Sequence, residues 1–342
     1  MTTTPAIFAV TPPRAIEGGR LTIEGSGFPV DGPLLPEVLV GDRPARIVSA
    51  SPSRLGVLVP QGLPEGGRLP VLVAGSTSDA ALVDIAGTFA TGLHQVDNPL
   101  IDREGNLYVT YSGTRGQEVP ISIFRVRPNG TREAFSSGIL NPTSMAMAPD
   151  GRIYVSSRFE GTVYRLAGDG SAEPFATDLG VACGLAFSSD GTLFVGDRTG
   201  TIFKVDRGGR PSAFAMLPGS VAAFHLAFAP DQTLFVTAPT LASYDHVYRV
   251  DPAGAVSTCA ARFGRPQGLA FDSAGMLFVT EALAGSSGVY RLDPGSDASP
   301  ELVLSGPGLV GLAFGPDGAL IVSSNETVYR LSAMSSSAST PP

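Results

Sequence analysis

The side chains that carry most protein chemistry are scarce in this chain of 342 residues: three histidines and two cysteines. They form no H-x-H, H-E-x-x-H or C-x-x-C spacing, so no local metal or redox motif is present. Cys183 and Cys259 lie far apart in the sequence, which indicates no disulfide framework. A nucleophilic Cys183 would need a neighbouring base. None adjoins it in Val-Ala-Cys-Gly, so it reads as a buried small hydrophobe. Any site must therefore be assembled from distant residues. The sharpest question falls on Asp97, in Val96-Asp97-Asn98-Pro99: its carboxylate either holds a metal or ends a loop as a polar residue. His225 could serve as base or ligand, with His94 and His246 as weaker candidates.

Composition bounds what those residues can belong to. With 42 Gly, 29 Pro and 43% hydrophobic residues, the chain is neither disordered nor collagen-like, and short strands between tight turns suit it. No apolar run approaches the roughly 20 residues that span a bilayer. The net charge is −8 and no basic stripe appears, so nucleic acid and membranes are not expected as partners. The start, MTTTPAIFAVTPP, has neither a basic n-region nor a long apolar h-region. The expected location is the cytoplasm, or an exported compartment if a leader was removed.

One sentence is repeated six times: NPLIDREGNLYV (98–109), SMAMAPDGRIYV (144–155), GLAFSSDGTLFV (184–195), HLAFAPDQTLFV (225–236), GLAFDSAGMLFV (268–279) and GLAFGPDGALIV (311–322). The equivalent aliphatic residues, from Leu107 to Leu320, are spaced by 46, 40, 41, 43 and 43 residues, the period of a repeat architecture. Within each copy two apolar runs flank a D-G type turn, as in a hairpin. A third strand (TVYRL and its kin) and a weaker fourth (AEPFAT and its kin) follow. Four strands per repeat and no helical periodicity predict an all-β, six-bladed propeller.

The last blade is one strand short, and the chain after Leu331 is a polar tail that reads as disordered. Phe89-Ala90-Thr91 aligns with Phe175-Ala176-Thr177, so residues 87–91 are expected to supply the missing outer strand. Three C-terminal strands and one N-terminal strand then close the ring and remove its open edges. A basic residue recurs in the third strand at Arg125, Arg165, Lys204, Arg249, Arg291 and Arg330; this slot is expected to face solvent or a neighbouring carboxylate.

Residues 4–86 read as short alternating strands in a small sandwich. They resemble an IPT/TIG immunoglobulin-like domain through Pro5, Thr11-Pro12, Gly18-Gly19 before LTIEGSGF, the Gly41-Asp42-Arg43-Pro44-Ala45 hairpin and the final GGRLPVLV. That resemblance implies a spacer or protein-contact module. Some such domains bind DNA, but this one lacks a basic cluster. The expected domains are thus 1–86, a sandwich; 87–333, the propeller; and 334–342, the tail.

Strand order puts the loops entering each inner strand at the same end as the loops between second and third strands. Most of the polar irregularity falls there, so this upper face is where a site is expected. It carries Asp97, Asn98, Asn141, His225 and Gln267 from entering positions. Asp197 and Glu281 end second strands, and Arg115, Arg158, Arg198 and Arg265 could rim the face. Blades one and four oppose each other in a six-fold ring, so Asp97 and His225 can meet across the channel. Asp197 and Glu281 have an alternative reading as structural hydrogen-bonders.

The GLAFxxDGxLFV pattern resembles the NHL and gluconolactonase/regucalcin-like propellers, over roughly residues 87–331. The resemblance implies a possible divalent metal (calcium, magnesium, manganese or zinc) in the channel, held by a Glu, Asn residues and an Asp. Asp97 stands at the place of that Glu. The other places fall on Ala182–Cys183, Phe224 and Gln267, and Gln267 brings no charge and no base. The leading expectation is a binding module whose upper face takes a small polar ligand or a protein. The alternative is a metal-dependent lactone or ester hydrolase, with a lyase as a third.

Overall fold

The computed structural model describes residues 4–283 and 285–333. The expected tail, 334–342, lies outside the described residues. Among those described there are only strands and turns, with no helix that could cross a membrane.

Six four-stranded antiparallel blades follow the repeats. Blade one runs from inside outward as Leu100–Ile101, Leu107–Thr110, Ile123–Val126 and Arg132–Ser136. Blade two is Pro142–Met147, Ile153–Ser157, Thr162–Leu166 and Ala172–Ala176, and blade three is Ala182–Phe187, Leu193–Asp197, Thr201–Val205 and Pro211–Met216. Blade four is His225–Phe228, Leu234–Thr237, Asp245–Val250 and Val256–Phe263, and blade five is Pro266–Phe271, Leu277–Glu281, Gly288–Leu292 and Glu301–Ser305. Blade six is Leu309–Phe314, Leu320–Ser324 and Thr327–Leu331, completed by Gly87–Thr91. This is the three-plus-one closure expected from Phe89-Ala90-Thr91. Each inner strand touches the next around the whole circle, blade six returning to blade one.

The local chemistry explains the hairpins. The D-G turns place Gly151, Gly191 and Gly318 in the left-handed region, at φ of 85°, 82° and 76°. The preceding aspartates accept the amide two residues on, as Asp150 Oδ1 does from Arg152 N and Asp190 Oδ1 from Thr192 N. Blade four has Gln232 where the others have glycine, and it takes the same conformation at φ 68°. Alternation then buries one face of each strand against the next blade. Phe194, for example, packs edge-to-face on Phe214 at 5.0 Å and on Phe228 at 5.1 Å. The recurrent basic slot meets fourth-strand or turn carboxylates: Arg125–Glu133 at 2.7 Å, Arg165–Glu173 at 2.5 Å, Arg291–Glu301 at 2.5 Å and Arg330–Asp317 at 2.5 Å. Arg249 instead lies over the Phe235 ring, 5.7 Å from its centroid.

The N-terminal sandwich has one sheet of Ala6–Thr11, Arg20–Ser26, Arg54–Leu58 and Arg46–Ser51. Its other sheet, Arg14–Ala15, Ala81–Ile85, Gly67–Val73, Val38–Val40 and Arg43–Pro44, continues directly from the outer strand of blade five. Ala15 pairs in parallel with Ser305, Ile16 N donates to Ser305 O at 2.9 Å, and Arg20 N donates to Ser305 Oγ at 2.7 Å. Ile16 is buried in a core shared with Phe278, Leu304 and Leu309 of the propeller. Sequence reading did not find this seam, because nothing in Arg14-Ala15-Ile16 marks a two-residue strand.

Candidate functional site

Inner strands converge at the channel so closely that three of the six first positions, Gly184, Gly268 and Gly311, leave no room for a side chain. A Cβ on Gly311 would lie 2.5 Å from Asp97 O, and one on Gly184 would lie 2.5 Å from Phe224 O. Blade four breaks the pattern by putting His225 where blades three, five and six have glycine. Its imidazole fills that space and is 0% exposed.

His225 Nδ1 is hydrogen-bonded to Asp97 Oδ1 across the ring, as the opposition of blades one and four requires. Asp97 Oδ1 also accepts Asn98 N at 2.6 Å. Gln95, which sequence reading passed over, holds this segment: its Nε2 donates to Asp97 O at 2.7 Å and Asn98 O at 3.0 Å, and its Oε1 accepts Thr110 N at 2.9 Å. With Nδ1 turned to the carboxylate, Nε2 is the free end of the imidazole, and it is buried without a hydrogen-bond partner among the described residues. An Asp–His pair of this kind fixes the orientation of the ring and leaves Nε2 as its free atom.

The other candidate residues separate into two groups. Asn98 clasps three blades, donating from Nδ2 to Leu269 O at 3.1 Å and accepting Leu312 N at Oδ1 at 3.0 Å. Asn141, at φ 43°, donates to Ser112 O at 2.6 Å and Thr114 O at 2.8 Å and accepts Gly116 N at 2.6 Å. Asp197 accepts Val181 N at 2.9 Å and Thr199 N at 3.2 Å. Glu281 accepts Gly264 N at 2.5 Å, Arg265 N at 2.8 Å and Leu283 N at 2.7 Å. These four side chains are engaged in holding the upper loops, and Asp245 does the same for Thr240 in blade four. For Asp197 and Glu281 this is the structural hydrogen-bonding role their place at the end of second strands offers, whereas nothing in the sequence context of Asn98 and Asn141 distinguishes a loop anchor from a ligand contact.

The second group has uncommitted side chains except for His246. Gln267 has its backbone carbonyl taken by Thr237 Oγ1, while its amide makes no hydrogen bond among the described residues. Arg265 is exposed at the rim. Cys183 is buried, with its carbonyl accepting Ser156 Oγ at 2.6 Å. Burial, with the Asp97 charge adding to it, pushes the Cys183 thiol up to about 12, so it is a neutral thiol at physiological pH. His94 lies higher, against Tyr111, and is pushed down by burial and by Arg158, which keeps it neutral. His246 is occupied by the carbonyls of Cys259 and Ala261, 3.1 and 3.2 Å away.

A hard divalent cation takes about six or more oxygen ligands. Among the described residues no three His, Cys, Asp or Glu side chains come together to hold a metal. Asp97 is bound to His225, and the neighbouring positions offer Ala182, the neutral Cys183 thiol, Phe224 and Gln267. This donor set does not fit the channel cation of the gluconolactonase-like group.

Residues 5–85 match the IPT/TIG domain family. No curated protein matches the chain in sequence. Among solved structures, a gluconolactonase from Xanthomonas campestris superposes with a TM-score of 0.60 at 16% identity, covering 88% of this chain and 99% of that one. An auxiliary nutrient binding protein from Bacteroides ovatus gives 0.55 at 14% identity, covering 97% of this chain and 99% of its own. A virginiamycin B lyase from Staphylococcus aureus gives 0.52 at 12% identity, with 97% and 96% covered. At such identities the likeness speaks for the fold, an all-β chain with an IPT/TIG domain and a gluconolactonase-like propeller.

Proposed function

We propose that the propeller is a binding module whose upper channel face takes a small polar ligand or a polar segment of a partner protein. The observation that carries this reading is the Asp97–His225 pair, which leaves Nε2 without a partner at the inner end of that face. Buried polar atoms are nearly always satisfied, so this orphan marks a place for an external polar group, and the Gln267 amide in the next blade is free to join it. On the opposite face the aspartates of the D-G turns are taken up by amides of their own turns. The net charge of −8 and the absence of a basic stripe favour neither nucleic acid nor an anionic membrane as the partner.

The same pair favours a second reading: hydrolysis of a lactone or ester, with His225 Nε2 as general base and Asp97 orienting it. The likeness to a gluconolactonase suits this chemistry, but the donor set gives it no metal. Water would have to reach Nε2, which is buried in the free protein. We therefore rank binding first.

Calorimetric titration with uncharged sugars, sugar acids, lactones and short peptides tests the ranking. A compound whose affinity falls in Gln267→Ala, in protein that still melts like the wild type, supports an upper-face site. Binding that is indifferent to Gln267 and His225 substitutions contradicts it.

A further inference from the structure

Three arginines fall in adjacent upper loops, with Arg265 farther round the rim and Glu118 and Glu160 exposed in the first two of those loops. Arg115, Arg158 and Arg198 occupy the loop between second and third strands in blades one, two and three. Asn141 joins the first two. Its backbone carbonyl accepts Arg158 N at 3.4 Å, while its side chain binds Ser112 O, Thr114 O and Gly116 N, the last two residues flanking Arg115. The Phe159 ring closes the same corner, 3.1 Å from where a Cβ on Gly116 would stand. Arg198 repeats the Arg158 position one blade on, donating its amide to Val181 O at 3.1 Å. The Ser156 hydroxyl, two residues before Arg158, ties blade two to Cys183 O in blade three.

None of the three guanidinium groups takes part in an ion pair among the described residues. Arg115 and Arg198 are exposed, and Arg158 is half-buried. Burial, and then the charges of Arg198 and Arg115, hold Arg158 below the usual arginine range, opposed only by Cys183. It still carries its charge at neutral pH. A half-buried cation facing two like charges without a counter-ion is costly in the free protein, and an anion would relieve it. Two further buried atoms at this end, Ser112 Oγ and His225 Nε2, lack partners among the described residues.

We propose that Arg115, Arg158 and Arg198 form the recognition site for an oxyanion, a carboxylate or phosphate group carried by the small ligand of the upper face. Planar guanidinium forks bind both groups through paired N–H donors. The proposal rests on the reading of the upper face as the binding face and adds the chemical class of its ligand.

The test is calorimetric titration of the full chain, in chloride buffer free of oxyanions, with citrate, inorganic phosphate and uncharged sorbitol. Citrate or phosphate is expected to bind, and its Kd to weaken at least tenfold in Arg158→Gln and in Arg198→Gln. Arg210→Gln, on the lower face and paired with Asp206, should leave affinity unchanged. Binding of citrate alone assigns a carboxylate, and of phosphate alone a phosphate group. Failure of both anions to bind, or affinities unmoved by the two substitutions, overturns the proposal. Gln267-dependent binding of an uncharged compound in that case leaves the upper-face reading standing while this one falls. Arg158→Gln should melt no lower than wild type in the anion-free buffer. A lower melting point would make Arg158 a structural residue and would also overturn the proposal.

Discussion

Asp97 and His225, 128 residues apart, are joined by a hydrogen bond that spans the channel from blade one to blade four. Both side chains are buried, His225 at 0% and Asp97 at 3% exposure. Each therefore depends on the other for satisfaction in a place that water does not reach. Removing one partner of a buried pair costs about 3–5 kcal/mol when the survivor is charged, and about 1–3 kcal/mol when it is neutral. Asp97→Ala and His225→Ala should each lower stability to urea within that span. The double variant should lose clearly less than the sum, because the second substitution removes an already orphaned group. Additive losses would show that the two side chains do not act together.

Ring closure gives a second expectation. Gly87–Thr91 pairs with Thr327–Leu331, and Asn98 binds Leu269 and Leu312 of blades five and six. A chain beginning at Ala86 keeps all of these and should fold cooperatively. It should melt below the full chain, because loss of Ile16 and Ala15 uncovers the outer strand of blade five. A chain beginning at Pro99 loses the closing strand together with Asp97 and Asn98, and should melt far lower or fail to fold. Equal thermal melting of the two truncated chains would refute the three-plus-one closure.

The buried thiols set an alkaline limit. Burial raises both Cys183, to about 12 from an ordinary 9.0, and Cys259. Above the ordinary thiol range the unfolded chain releases these protons while the folded chain retains them. Stability is then complete below about pH 9 and falls as pH rises toward 12. Urea denaturation between pH 8 and 10.5 should show this fall, and Cys183→Ala should flatten it. Native protein should resist thiol labelling at pH 8, and rapid stoichiometric labelling would mean that Cys183 is an accessible thiolate.

The repeats made the propeller legible because each copy carries the same alternation and the same turn chemistry. Even the closing strand was readable, since Phe89-Ala90-Thr91 repeats the fourth-strand pattern. Blade counting allowed Asp97 and His225 to face each other, because a ring places blades one and four opposite; that they share a hydrogen bond comes from the fold. What the sequence does not show is which polar side chains the loops consume. Asn141, Asp197 and Glu281 carry the same groups a ligand site would use, and only the fold reveals that backbone amides and carbonyls occupy them. Gln95 was missed for the converse reason: its role depends on carbonyls of neighbouring residues that no pattern marks. The seam between Ala15 and Ser305 joins surfaces with no shared signature in the chain.

The central claim is that the channel serves binding and does not run a metal-dependent hydrolysis through Asp97. The most direct measurement is the rate of lactone hydrolysis after chelation and add-back of calcium, magnesium, manganese or zinc, in wild type and in Asp97→Ala. The account predicts no metal-stimulated rate that depends on Asp97, because that carboxylate is held by His225 and Gln267 supplies neither charge nor base. A clear metal-dependent rate, abolished in Asp97→Ala protein that remains folded, would contradict it.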